Sequence, residues 1–218
     1  MSEVGKFVAY NSIFTYYFII NRCNSYFANN QINKNILSNL IIIYNISISI
    51  LSWIIFLVTL YENVNYLNFY SLTCENRYNS MINIFYILKY IEWFDTIFLV
   101  AKNKKISFLH YFHHMIVPLF TYINSAFENT AGQTYVMISN SFAHGLMYMY
   151  YAYPKKMKGY SKIITFVQTA QHLFALVILI NQLINYHNNE CKFHKEVILV
   201  SITNYFIFFF EFFKILIK

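Results

Sequence analysis

ILSNLIIIYNISISILSWIIFLVTL, residues 36–60, runs for 25 positions without a charged side chain. A helix crossing the hydrocarbon core of a bilayer needs about 20 mostly apolar residues, so this stretch is long enough to span. Six more windows of the same kind surround it, at Val4–Ile20, Met81–Val100, Phe108–Phe127, Thr134–Tyr153, Ser161–Ile184 and Val197–Ile217. The first is short and interrupted by Asn11, so an interfacial position stays open for it. Of the 218 residues, 58% are hydrophobic, 21% aromatic and 11% charged, where a soluble domain would carry about 25% charged residues. Four glycines and two prolines are too few for the tight turns of a sandwich or barrel. The expected fold is all-α: a polytopic membrane protein of seven transmembrane helices, in one domain over residues 1–218.

The net charge of +7 raises the question of nucleic acid, but no basic stripe or recognition motif is present, and none is expected to bind. The basic residues fall instead in short clusters between apolar runs, where topology signals lie. With seven spans, one side holds Arg22, Lys34, Lys102, Lys104, Lys105, Lys155, Lys156, Lys158, Lys162, Lys214 and Lys218, eleven in all; the other holds four, Lys6, Arg77, Lys192 and Lys195. The positive-inside bias then puts the C-terminus in the cytosol and the N-terminus in the lumen. The opening "MSEVGKFVAYNS" has neither the charged start nor the small-residue cleavage site of a signal peptide. Cys74 and Cys191 fall on the lumenal side, where a disulfide is permitted; whether their Cα atoms approach closely enough is open. Cys23 falls on the cytosolic side.

Ionisable side chains inside a bilayer are costly and mark function by default. The third window reads "LKYIEWFDTIFLV", with Lys89, Glu92 and Asp95 three residues apart and Thr96 next; Asp95 is the only aspartate in the chain. Such a cluster could also simply hold helices together. The fourth window begins with His110, His113 and His114, at i, i+3 and i+4 on one helical face. The fifth carries Asn140, His144 and Met147, with Tyr148, Tyr150 and Tyr151 beside them. The sixth carries Thr165, Gln168 and Gln171 on one face. All four clusters sit in the cytosolic half or near the middle of their windows, so one buried polar chamber open to the cytosol is expected. His172 reads as an interior residue, and His187 and His194 as loop residues.

Taken in order, these motifs read K-x-x-E-x-x-D-T from Lys89, H-x-x-H-H from His110, N-x-x-x-H-x-x-M-Y-x-Y-Y from Asn140 to Tyr151, and T-x-x-Q-x-x-Q from Thr165. Together they resemble the ELO family of very-long-chain fatty acid elongases, over about residues 35–215. The resemblance implies seven spans around an enclosed active site, an endoplasmic reticulum membrane, and a 3-oxoacyl-CoA synthase. Such an enzyme condenses an acyl-CoA with malonyl-CoA, releasing CO2 and CoA. The substrates are acyl-CoA and malonyl-CoA, and no cofactor is expected. The partners implied are membrane lipids and the reductase and dehydratase of the elongation cycle, with a homodimer left open. The C-terminal "FFKILIK" is not a clean lysine-based retrieval signal.

Condensation needs an activated acyl group, and covalent catalysis splits the reaction into two easier steps. No cysteine lies near the polar clusters, so imidazole is the expected acyl acceptor: His113 attacks the thioester, with His144 as its partner. His110, His114 and Asn140 are expected to stabilise developing negative charge. Glu92 and Asp95 would orient imidazoles, with Thr96, Met147, Tyr148, Tyr151, Gln168 and Gln171 supporting. Lys89, Lys102, Lys104, Lys105, Lys155 and Lys156 suit the CoA phosphates. A di-iron desaturase or hydroxylase is the alternative, but it needs about eight histidine ligands, while seven histidines are present and two lie on the wrong side. A transporter is a more distant reading, since paired repeats and broken helices are missing. No metal site is expected.

Overall fold

The structure is a computed structural model that describes residues 9–30, 32–68, 74, 79–126, 130–187 and 194–218. Among the described residues there are helices and turns and no strand. The helices are α1 (Ser12–Asn29), α2 (Lys34–Asn63), α3 (Ile82–Ile91), α4 (Trp93–Ala101), α5 (Phe108–Ala126), α6 (Thr130–Ala152), α7 (Ser161–His187) and α8 (Lys195–Leu216). Single 3-10 turns extend α2 at Val64–Tyr66 and precede α7 at Lys158–Tyr160. Three of these helical stretches are long and apolar enough to cross a membrane: Lys34–Tyr66, Lys158–Tyr186 and Lys195–Leu216.

Their surfaces match that role. On α2, Ile43, Ile50, Ile54 and Leu57 are exposed, at spacings of seven, four and three that keep them on one face. On α7, Ile163, Phe166, Leu173, Val177, Ile180 and Ile184 do the same. A soluble protein would hide so much apolar surface; in a membrane, lipid covers it.

Two element boundaries differ from the sequence reading. The first helix continues past Ile20 to Asn29, because Tyr16, Ile20, Cys23 and Phe27 form an apolar stripe that packs with Trp93 and Val100. Cys23 therefore lies inside a helix, as a free thiol. The third window is not one helix: it breaks at Glu92, where the Asp95 N–H bonds the Glu92 carbonyl in a tight i,i+3 turn. The resulting pieces, of 10 and 9 residues, are each shorter than a span.

By Cα proximity the chain divides into two compact units, Met1–Ile41 with Asn83–Ile123 and Ile42–Ile82 with Asn124–Lys218. The core of the first is the α1–α4 contact of Tyr16, Ile20, Trp93 and Val100. In the second, Leu179 of α7 and Ile198 of α8 centre a cluster that Cys74, Leu183, Ile202 and Tyr205 complete. Cys74 is disulfide-bonded; Cys191 lies outside the described residues. Buried amides are chained together in the same unit: Asn63 Nδ2 donates to Asn79 Oδ1 at 2.9 Å, and Asn79 Nδ2 to Thr134 Oγ1 at 3.1 Å.

In the second unit α2 and α6 approach closely at Gly145. Ser49 Oγ of α2 donates to the Gly145 carbonyl of α6 at 2.8 Å, and the Trp53 indole lies flat where a side chain would be. A Cβ at this position would meet Trp53 Nε1 at 2.8 Å and Cε2 at 2.9 Å, so only glycine fits without a shift, as at close helix crossings in membranes. Gly145→Ala is expected to cost about 1–3 kcal/mol by overpacking, seen as a lower thermal unfolding midpoint in detergent. Introduced with Trp53→Leu, the same change should cost clearly less than in the wild-type background.

Candidate active site

In the first unit two motifs interlock. α5 starts where Ser107 Oγ accepts the His110 backbone N–H at 3.2 Å, a serine cap that begins the helix directly before the histidines. His110, His113 and His114 then follow within little more than one turn. The His110 and His114 rings are tilted together with centroids 4.3 Å apart, and the His113 ring meets His114 edge-on at 5.2 Å. His114 is buried, while His110 and His113 are half-buried.

α4 faces these imidazoles with three residues. Asp95 Oδ2 lies 3.8 Å from His114 Nε2. Thr96 Oγ1 lies 2.9 Å from His110 Nε2. Trp93 Nε1 donates to the backbone carbonyl of His114 at 2.8 Å. This last bond has a clear cause. In a regular helix the His114 carbonyl would accept from the N–H of residue 118, but that residue is Pro118, which has none. The indole takes the place of the lost amide.

Glu92 and Lys89 are buried together, 1% and 3% exposed, with Nζ 2.9 Å from Oε1 and the ammonium 4.5 Å from the centre of the Phe85 ring. Lys89, expected to serve the CoA phosphates, sets its ammonium against the buried Glu92 carboxylate. Glu92 faces Lys89, and Asp95 faces His114.

The basic loop after α4 is built by a specific stop. The Asn103 N–H bonds the Val100 carbonyl at 2.8 Å and the Lys104 N–H bonds the Leu99 carbonyl at 2.9 Å, with Asn103 at φ 53°. This is a Schellman cap with asparagine in the left-handed position, and it leaves Lys102, Lys104 and Lys105 exposed. Partial burial, and then the neighbouring Lys104 charge, lower the Lys102 ammonium from its ordinary value.

The second unit holds the other two motifs. His144 and Tyr148 of α6 are buried, one turn apart with ring centroids at 5.7 Å, and Tyr44 packs edge-on to Tyr148 at 6.2 Å. Gln168 Nε2 of α7 donates to the Met147 sulfur at 3.2 Å. Thr165 turns its hydroxyl to the Ser161 carbonyl of its own helix. The Gln171 carbonyl accepts from Tyr135 Oη at 3.1 Å, and its side-chain amide reaches His172 Nε2 at 3.4 Å. His172 is 4% exposed, stacked on Phe212 at 5.2 Å and beside Phe208 at 5.5 Å. Asn140 is half-buried on α6, Tyr151 is exposed, and Lys155 and Lys156 lie on the exposed turn after α6. Among the described residues, no group of three or more His, Cys, Asp or Glu side chains is placed to hold a metal ion.

The model of the ELO: GNS1/SUR4 family matches residues 5–218. The chain belongs to the GNS1/SUR4 family. It is 31% identical over 202 residues to fatty acid elongase sre1 of Dictyostelium discoideum, covering 84% of this chain and 75% of that protein. It is 31% identical over 130 residues to very long chain fatty acid elongase 7 of Rattus norvegicus, covering 56% of this chain and 45% of that protein. With very long chain fatty acid elongase 6 of Mus musculus it shares 29% over 142 residues, covering 60% of this chain and 53% of that protein. The chain thus spans about half the length of the two mammalian relatives.

Three residues that support this GNS1/SUR4 site were not singled out in the sequence. Trp93 and Pro118 carried a signal, a helix-interior proline four residues after a histidine, that predicts an orphaned carbonyl but not its partner. Gly145, next to His144, carried another, since only four glycines occur. Trp93→Phe is expected to leave the His114 carbonyl without its donor and to cost about 1–3 kcal/mol. Placing alanine at 118 restores an amide N–H, so in a Pro118→Ala background the same tryptophan change should cost less by about 1 kcal/mol. A double-mutant cycle on thermal unfolding in detergent reads the coupling directly.

Proposed function

We propose that this chain is a 3-oxoacyl-CoA synthase that condenses a long-chain acyl-CoA with malonyl-CoA, the first step of a two-carbon elongation cycle. What carries the reading is the interlock of Asp95 and Thr96 with His114 and His110 in a chain that belongs to the GNS1/SUR4 family. A condensing enzyme needs a nucleophile and, around it, groups that hold their hydrogens in fixed directions.

In the proposed reaction a neutral ring nitrogen of His113 attacks the thioester carbonyl. A C–N bond forms, the C–S bond breaks, and CoA leaves as the thiolate and takes up a proton. Malonyl-CoA loses CO2, and the electron pair of the broken C–C bond becomes the enolate of acetyl-CoA. That carbon attacks the acyl-imidazole; a C–C bond forms, the C–N bond breaks, and the departing ring nitrogen takes up a proton from water, which returns the imidazole to its neutral state. His110 and His114 would bond the carbonyl oxygen as negative charge develops there, and Asp95 would support the His114 imidazole. His144 of the second unit is the other candidate acceptor. The exposed Lys102, Lys104, Lys105, Lys155 and Lys156 would meet the CoA phosphates as point charges.

The same reading puts the chain across the endoplasmic reticulum membrane seven times, with the N-terminus lumenal, the C-terminus cytosolic and the site enclosed by the helices. In that arrangement α3 and α4 together make one crossing despite the turn at Glu92, and α1, α5 and α6 cross in spite of their polar residues. The cycle's reductase and dehydratase would take the product.

Purified protein given acyl-CoA alone should release CoA and gain one acyl mass on the peptide that contains His113. Addition of labelled malonyl-CoA should then release labelled CO2. His113→Ala should reduce both the adduct and CO2 release to background while the protein still elutes as a folded species. CoA release that requires malonyl-CoA would argue against the covalent step, and an adduct on His144 would reassign the nucleophile.

A further inference from the structure

Tyr16 lies in α1, outside every motif read from the sequence, and its side chain is fully buried. The ring packs against Trp93 and Tyr111, with centroids 5.3 and 5.4 Å away. Its hydroxyl oxygen is 2.8 Å from Thr96 Oγ1, and Thr96 Oγ1 is 2.9 Å from His110 Nε2. Thr96 is itself fully buried. Among the described residues, the Tyr16 hydroxyl has one hydrogen-bond partner and the Thr96 hydroxyl has two, and no backbone carbonyl takes either hydrogen.

This short chain has a direction. It contains two contacts and two hydroxyl hydrogens. If His110 Nε2 also carried a hydrogen, three hydrogens would share two contacts, and one buried hydroxyl would be left without an acceptor, at a cost in free energy. With Nε2 bare, Tyr16 donates to Thr96, Thr96 donates to His110, and every hydrogen is bonded. The hydrogen bond made by one ring nitrogen sets the protonation of the other. We propose that Tyr16 is a positioning residue, which acts through Thr96 to fix the His110 imidazole as the tautomer protonated on Nδ1.

The consequence is chemical. The nitrogen that His110 can turn to a ligand is then an N–H donor and not a base, which suits it to bond a carbonyl oxygen gaining negative charge. That part of the inference rests on the condensing role proposed above; the tautomer itself does not. The two hydroxyls do the sorting from different helices, so a side chain of α1, with no part in the histidine motif, selects the state of its first imidazole.

The tautomer is read by nitrogen NMR of protein labelled at histidine nitrogens, in detergent at mildly alkaline pH, with the His110 signals assigned by their loss in His110→Gln. The wild-type protein should show Nδ1 protonated and Nε2 bare. Tyr16→Phe, which removes only the hydroxyl, should show both tautomers, while Thr96→Ser, which keeps a hydroxyl, should look like wild type. In CO2 release, Tyr16→Phe should lower kcat at least about threefold with KM unchanged, short of the roughly 100- to 1,000-fold loss from deleting a donor outright. A wild-type spectrum with the hydrogen on Nε2 overturns the proposal, and needs no variant to fold. So does a Tyr16→Phe protein that keeps both the single tautomer and full kcat. If no variant or wild-type protein releases CO2, the condensing role fails and the spectra still decide the tautomer.

Discussion

A membrane removes the option that soluble proteins rely on, of leaving a polar group to water. Every amide, carbonyl and ionisable side chain within the hydrocarbon must find its partner inside the protein. The bond from Trp93 Nε1 to the His114 carbonyl, 2.8 Å long, supplies such a partner from within the protein. Pro118 takes an N–H out of α5, the carbonyl released belongs to a histidine of the candidate site, and a neighbouring helix supplies the donor. The bond does two things together: it satisfies the backbone of α5, and it fixes α4 against α5 at the height where Asp95 meets His114 and Thr96 meets His110.

The same rule explains why the polar residues come in linked sets. Lys89 and Glu92 neutralise each other in a site where neither could stand alone. Two buried charges of this kind are expensive to desolvate, so the pair is weak evidence for stability; its use lies in where it stands, at the turn between α3 and α4. That turn resets the helix so that Trp93, Asp95 and Thr96 all reach α5. A straight helix over the whole window would have kept the motif's spacing and presented it on a different arc.

Membership of a helical membrane class could be read from the long apolar run at residues 36–60, and the histidine face from simple i, i+3, i+4 spacing. What could not be read was who would answer each polar group. Nothing in "LKYIEWFDTIFLV" says that Lys89 will meet Glu92, because a three-residue spacing permits other partners as well. The first helix runs on past Ile20 for a related reason: hydropathy weights Arg22 and Asn21 against membrane burial, whereas the stripe from Tyr16 to Phe27 needs only one face for packing, and Arg22 lies over the Phe18 ring at 5.1 Å. Tyr16 was hidden among 21 tyrosines, and only its neighbours distinguish it.

The helices with the clearest membrane character are not the ones that carry most of the candidate chemistry. α2 and α8 each hold a long, mostly apolar stretch, while α5 and α6 bring histidines, asparagine and glutamine, and α3 and α4 bring charges. α7 shows how one helix can do both. Its Ile163, Phe166, Leu173, Val177 and Ile180 are exposed, while Thr169, His172, Leu176, Leu179 and Gln182 are buried. Lipid solvates the first set at no cost, and the protein must provide partners for the polar members of the second. A helix of this kind is stable only when its inward face is matched, so the polar residues of such a site are tied to the fold. They could not have been placed there without the aromatic and hydroxyl side chains that hydrogen-bond to them.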